Sequence, residues 1–247
     1  MLKHVLQYTA RYPHYCCFCH QKSDTSYDLC RFCQSQLPTI LTDDGSNQGT
    51  SVCLYCGIAL QQAGNTGKCV QCAKIRSPWS KIICPYRYEF PVDKLIQRLK
   101  YHHHLPTGRL LGSLLAHEKN QIQFENQPDL LVPVPAEHKR YRQRGFNQAG
   151  EIAKWCGRAS SVQVVSRGVG RHTGSVSLVG LSRAERELAI RGSFFVDERV
   201  YGQRVAIVDD VLTTGATAGE LATELLDTGA ADVQLWVVAR TLAGDRV

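Results

Sequence analysis

The sequence predicts an α/β fold, a parallel sheet flanked by helices, preceded by a small cysteine-rich domain. Three observations carry this. Nine of the eleven cysteines fall before residue 73. After Trp79 the pattern changes to short apolar runs alternating with segments of helical period. From 205 to 239 a strand, a loop, a helix and a strand follow in the order of a βαβ unit, which implies parallel pairing. The two domains are expected to span 1–78 and 79–247.

The elements follow in chain order. The first domain is rich in Gly, Gln, Ser, Thr and Asn with little sustained periodicity, so it buries little apolar surface and needs a staple. Asp93–Tyr101 places Leu95, Ile96 and Leu99 at helical spacing, and Leu110–Ala116 reads as a second helix. Leu130–Val134 is a short apolar run ending in prolines, a buried strand that feeds a loop. Asn147–Trp155 is a helix with Asn147 as its N-cap. Val162–Val165 and Val205–Val208 are strands. In Ala218–Leu226 the residues Ala218, Leu221, Ala222, Leu225 and Leu226 share one helical face, with Gly229 as a stop. Val233–Ala239 is the last strand.

The composition excludes several classes. At 247 residues, 43% hydrophobic and 21% charged, the chain has the profile of a folded protein with a real core rather than a disordered one. No apolar run approaches the roughly 18 residues of a membrane span. Met1–Tyr15 holds Lys3, His4, Arg11 and His14 and no apolar core of a signal peptide, so a cytoplasmic location is expected. In a reducing compartment, eleven cysteines point to metal binding rather than disulfides.

Cys-x-x-Cys occurs four times: Cys16/Cys19, Cys30/Cys33, Cys53/Cys56 and Cys69/Cys72. Ten residues separate the first two pairs and twelve the last two. Each half has the form of a zinc ribbon, because two intervening residues let both thiolates converge on one tetrahedral ion. Two structural zinc ions are therefore expected, ahead of a redox pair or an iron–sulfur cluster. Pairing within each half is simplest, and an interleaved arrangement fits the same composition. Gly57 suits a tight knuckle. Cys17 fits neither spacing and reads as a spectator, while Cys84 and Cys156 read as small core residues.

Charge is concentrated. Between 131 and 195 there are eleven Lys and Arg against four acids, an excess of seven that equals the net charge of the whole chain. Such a field attracts phosphates. The sharpest signal lies outside it. The strand Val205–Val208 ends in Asp209 and Asp210; Val211 and Leu212 lead into Thr213, Thr214, Gly215, Ala216 and Thr217, where a helix opens. Backbone N–H groups at a helix N-terminus point at an anion, and the helix dipole adds to the attraction. Gly215 permits close approach, and the acids suit ribose hydroxyls or a magnesium-bound ligand. The alternative is an ordinary strand end and N-cap. No GxxxxGK[ST] is present, so this is not a P-loop.

Val205–Ala218 resembles the phosphoribosyl-pyrophosphate (PRPP) motif of type I phosphoribosyltransferases. The chain as a whole resembles the ComF family of competence-associated proteins. It does so through the cysteine-rich front, Leu99-Lys100-Tyr101, Val132-Pro133-Val134-Pro135, Arg144-Gly145-Phe146-Asn147-Gln148-Ala149 and Leu181-Ser182-Arg183-Ala184-Glu185-Arg186. The resemblance implies a type I phosphoribosyltransferase-like sheet behind a double zinc ribbon, acting on incoming single-stranded DNA during natural transformation. Asp209 and Asp210 would then orient the ribose of PRPP as the catalytic pair, and 211–217 would hold its 5′-phosphate, with Mg2+ accompanying the ligand. Arg140, Arg142 and Arg144 would meet the pyrophosphate or DNA. Tyr141, Phe146 and Trp155 are candidates for stacking on bases, with core packing as the alternative. Leu178 and Ala189 depart from the Gln and Asn that family members often carry in the 171–191 hood, which bears on acceptor chemistry more than on phosphate binding. His102-His103-His104 reads as a solvated loop. The competing functions are a phosphoribosyltransferase acting on a base or amine, and a zinc-ribbon adaptor that docks a competence helicase of the uptake machinery.

Overall fold

The computed structural model describes residues 15–25, 27–40, 53, 55–58, 68–74, 77–121, 126–172 and 190–241. The chain divides into two compact units, Met1–Leu37 and Pro38–Val247. In the first, α1 (Arg31–Ser35) is capped by the Cys30 sulfur, which accepts from the Cys33 N–H. Among the described residues, the first element of the second unit is α2 (Val70–Lys74), and the sheet follows.

The sheet uses six parallel-paired strands. These are β1 (Lys81–Ile83), β2 (Tyr86–Arg87), β3 (Leu130–Pro133), β4 (Gln163–Val164), β7 (Arg204–Leu212) and β8 (Asp232–Arg240). Their order is β1-β8-β7-β3-β4, with β2 also pairing β8. The parallel α/β expectation is thus met. The two central strands are buried along nearly their whole length, as apolar runs covered on both faces must be. β5 (Val169–Arg171) and β6 (Phe194–Val196) form a separate antiparallel pair.

Helices cover both faces. On one lie α3 (Val92–His102), α4 (Leu105–Gln121) and α6 (Gln148–Ser160); the short α5 (His138–Arg144) follows β3; α7 (Ala216–Asp227) covers the other face. The α4–α6 crossing is close because Gly112 has no Cβ: one built there would lie 2.5 Å from Ile152 O and 2.8 Å from Trp155 Cβ. α6 starts where the sequence places it, with the Asn147 carboxamide accepting from Ala149 N–H at 3.1 Å. Gly229 ends α7 at φ +97.

β7 extends four residues beyond the apolar run, through Asp209 and Asp210 to Leu212. The ladder to β8 continues there, pairing Asp209 with Val237, Val211 with Ala239 and Leu212 with Arg240. The acids therefore sit inside the strand at its C-terminal end, where alternation turns their side chains to opposite faces. No described helix is long and apolar enough to cross a membrane.

Candidate functional site

The cysteines gather as the local pairing requires. The sulfurs of Cys16, Cys19, Cys30 and Cys33 lie within 4.8 Å of one another, as do those of Cys53, Cys56, Cys69 and Cys72. Cys19–Cys30 and Cys56–Cys69 are each 3.7 Å apart. A tetrahedron with arms of about 2.3 Å has edges of about 3.8 Å, so each set fits around a single metal ion. The knuckles repeat: Cys16 N–H donates to Gln21 O and His20 N–H to Cys16 O, while Cys53 N–H donates to Ile58 O and Gly57 N–H to Cys53 O. The pivots His20 and Gly57 both have positive φ, 57 and 68. Cys17 is outside both sets, and Cys156 is buried in α6.

The strand–loop–helix site is built from β7, the turn at 213–215 and α7. Gly215 takes φ +81, which admits glycine most easily. Gly219 N–H, donating to Gly215 O at 2.7 Å, is the first to close the helical ladder, so the N–H groups ahead of it project from the helix end. Thr214 Oγ1 accepts a 3.4 Å bond from Ala216 N–H. Thr213, Thr214, Gly215 and Ala216 line a cavity of about 810 Å³. Tyr55, together with Cys56 and Cys72 of the second cysteine set, lines the same cavity.

The two aspartates have separate environments. Asp210 is buried, and its Oδ2 lies 3.0 Å from Lys100 Nζ of α3. Burial works against the Lys100 ammonium, yet the Asp210 and Asp209 carboxylates outweigh it and hold its pKa above the ordinary value. Asp209 is half-buried, and its Oδ1 accepts from Asp210 N–H at 2.8 Å. Burial pushes its carboxyl up to about 7; the Asp210 charge adds to this, while the Asp210 amide and Lys100 oppose it.

A second cavity of about 1220 Å³ lies at the C-terminal end of β3, beside Pro133, Pro135 and Asn147. Asn147 Nδ2 donates to Val134 O at 3.0 Å and so fixes this loop to α6. Glu137 gathers two cations, Arg140 at 3.2 Å and Arg171 at 3.5 Å. Arg144 donates to Gln148 Oε1 at 3.0 Å and stacks 5.5 Å over the exposed Tyr101 ring. Arg142 stands beside these on α5, in its last turn. Tyr141 is half exposed, whereas Phe146 packs edge-on to His103. The Trp155 ring lies beneath Arg158 at 4.7 Å, with Arg109 at 5.9 Å and Lys154 at 5.8 Å. His102 and His103 are exposed, and the His103 Nδ1 lies 2.9 Å from Arg144 O. Leu178, the 181–186 segment and Ala189 fall outside the described residues.

Three residues around the 209–217 segment have a role that sequence periodicity does not show, Trp79 and Arg240 lining the first cavity and Lys100 pairing with Asp210. Lys100 lies about 110 residues from its partner, a distance no local motif spans. Arg240 closes an apolar strand; it is 8% exposed, lines the cavity, and its Nη1 has no hydrogen-bond partner among the described residues. Trp79 reads as a boundary residue and instead stands between loop and knuckle. The register that sets Arg240 against Leu212 comes from pairing, which single-sequence periodicity does not reveal.

No family model matches the chain. It is similar to DNA utilization protein YhgH of Salmonella typhimurium, 32% identical over 202 residues that cover 79% of this chain and 86% of that one. It is also similar to competence protein F of Haemophilus influenzae, 30% identical over 222 residues, covering 86% and 90%. Among solved structures, glutamine phosphoribosylpyrophosphate amidotransferase from B. subtilis matches with a TM-score of 0.37 at 22% identity, over 53% of this chain and 25% of that one.

Proposed function

The chain belongs to the family of competence protein F and DNA utilization protein YhgH, and on that premise we propose that it binds PRPP or a related phosphoribosyl nucleotide and handles single-stranded DNA during uptake. The observation that carries the first part is the 213–217 turn, where a buried parallel strand ends beside a carboxylate and a helix N-terminus opens onto a cavity. The N–H groups and threonine hydroxyls there would hold a 5′-phosphate, and Asp209 would accept from the ribose hydroxyls. Asp210, held by Lys100, would fix the strand end rather than reach far from it. Magnesium would supply charge neutralisation to a pyrophosphate, and the Asp209 carboxylate is the group suited to hold it.

Calorimetry with Mg-PRPP tests this. Wild-type protein should bind, and Asp209→Ala should lose at least tenfold in affinity with fold and metal content unchanged; equal affinities would overturn the site. A transferase would release pyrophosphate only with an acceptor present, and that assay separates it from a binding protein.

For DNA, the supporting observation is the α3–α5 surface, where exposed Tyr101 and Tyr141 stand among Arg142, Arg144 and Lys139. Aromatic faces and a basic track are what single strands need. We assign zinc to both cysteine sets, because four thiolates at tetrahedral spacing with no open position suit a structural zinc ion. Thiolate sites of this kind suit a reducing compartment such as the cytoplasm. The exposed Phe32 on α1 offers an apolar contact for a helicase or other uptake protein.

A further inference from the structure

The side chain of Trp79 touches two things that the sequence assigns to different domains. Its Nε1–H donates to Tyr55 O at 2.7 Å, and Tyr55 lies between Cys53 and Cys56 in the second knuckle. Its ring edge meets the phosphate turn: a Cβ on Gly215 would be 3.4 Å from Trp79 Cη2, and one on Gly219 would be 4.0 Å from Cζ3. The indole is 8% exposed and packs in the same apolar cluster as Leu212 and Ala218, the residues that flank the turn. One rigid ring therefore spans from a metal-ligand loop to the backbone that would receive the phosphate.

We infer that Trp79 is a positioning residue that couples the Cys53/Cys56/Cys69/Cys72 metal site to the 213–217 phosphate turn, so that metal there and phosphate ligand each tighten the other's binding. A metal ion fixes the Cys53–Cys56 loop and with it the Tyr55 carbonyl. The carbonyl fixes the indole N–H, and the indole sets the height and pitch of Gly215. Without the ion the knuckle loses the bonds that hold Tyr55, and the ring loses its anchor on that side. The residue pair suits this use: glycine at 215 takes the φ of +81 that the turn needs beneath the ring edge, and tryptophan is the one apolar side chain with a ring donor. Coupling between binding sites is reciprocal and is commonly 5–150-fold.

The inference rests on the reading of 213–217 as a phosphate site, and the test separates the two. Ribose 5-phosphate and Mg-PRPP are titrated into the metal-loaded full chain by calorimetry. Metal release to a chromogenic chelator is then timed with and without saturating ribose 5-phosphate. In the wild type the ligand should slow release from one of the two sites about tenfold and leave the other unchanged. Trp79→Phe keeps an aromatic ring but removes the N–H; it should hold the same metal content, bind ribose 5-phosphate several-fold more weakly, and show less than twofold slowing. Cys16→Ser should keep the slowing, because it alters only the first site. If the wild type binds neither ligand, the phosphate reading falls and the coupling falls with it. If it binds and release is unaffected, or Trp79→Phe shows the same slowing, the coupling alone falls.

Discussion

Asp209 and Asp210 are neighbours in sequence and opposites in chemistry. Asp210 has a cation at 3.0 Å, while Asp209 has its largest influence in burial and a neighbouring negative charge, and sits near pKa 7. An ordinary aspartate ionises near 3.9. A carboxyl whose pKa is raised by folding favours the folded state fully below about pH 4, and that contribution is lost as pH rises through about 7. Asp209→Asn removes the term. It should raise stability at pH 8 by an amount on the order of 2 kcal/mol after allowance for its partial exposure, seen as a higher melting temperature, and the gain should shrink by pH 5. A pH series of thermal melts checks this, and a gain that grows toward pH 5 would contradict the assignment. Lys100 behaves differently. Lys100→Met leaves a buried carboxylate beside another, at a cost of about 3 kcal/mol. Adding Asp210→Asn should recover part of it, which chemical denaturation of the three variants would show.

Elements show why some of this was legible. Three long helices announced themselves: α3, α6 and α7 have apolar faces at the right spacing, and Asn147 marks where α6 begins, whereas of α4 the sequence shows only Leu110–Ala116. The ends were harder, because a strand stops where its ladder stops. β7 continues through two acids since β8 keeps pairing with it to Arg240, and nothing in the residues from 209 to 212 states that. The two- and three-residue strands β1, β2, β5 and β6 are too short to show a period, and α5 is polar throughout. Gly112 shows the same limit from another side. Within α4 a glycine reads as a weak helix former, and alanine would gain about 1 kcal/mol by propensity. The structure reverses that sign, since the new methyl meets the α6 backbone carbonyl of Ile152 at 2.5 Å. Gly112→Ala should destabilise by about 2 kcal/mol through overpacking. Equal or higher stability in urea melts would mean that α4 and α6 are not in close contact.

At the scale of the whole molecule, each of the two units carries one four-cysteine set, and the sheet of the second has two cavities at the C-terminal ends of its strands. The cysteine spacing already contained the two four-sulfur clusters, since four sulfurs two residues apart by pairs leave few arrangements. The candidate site was half legible: the turn at 213–217 is contiguous, whereas Lys100, which pairs with Asp210, and Arg240, which lines the cavity, come from α3 and β8, far away in sequence. The α5 arginines are where the molecule-scale field meets a specific claim, because the same residues suit a pyrophosphate or a nucleic-acid backbone. Arg140 is already tied to Glu137 at 3.2 Å, so Arg142 and Arg144 are the better probes. Each phosphate neutralised on a single strand contributes about 0.7 to the slope of log affinity against log salt. If both arginines contact DNA, Arg142→Ala with Arg144→Ala should flatten that slope for an oligo-dT by about 1.4 and leave Mg-PRPP affinity within twofold. If they face pyrophosphate instead, the slope stays and PRPP affinity falls. Fluorescence anisotropy at four salt concentrations, beside calorimetry on the same two proteins, distinguishes the outcomes, because only a DNA contact couples those guanidinium groups to the release of counterions.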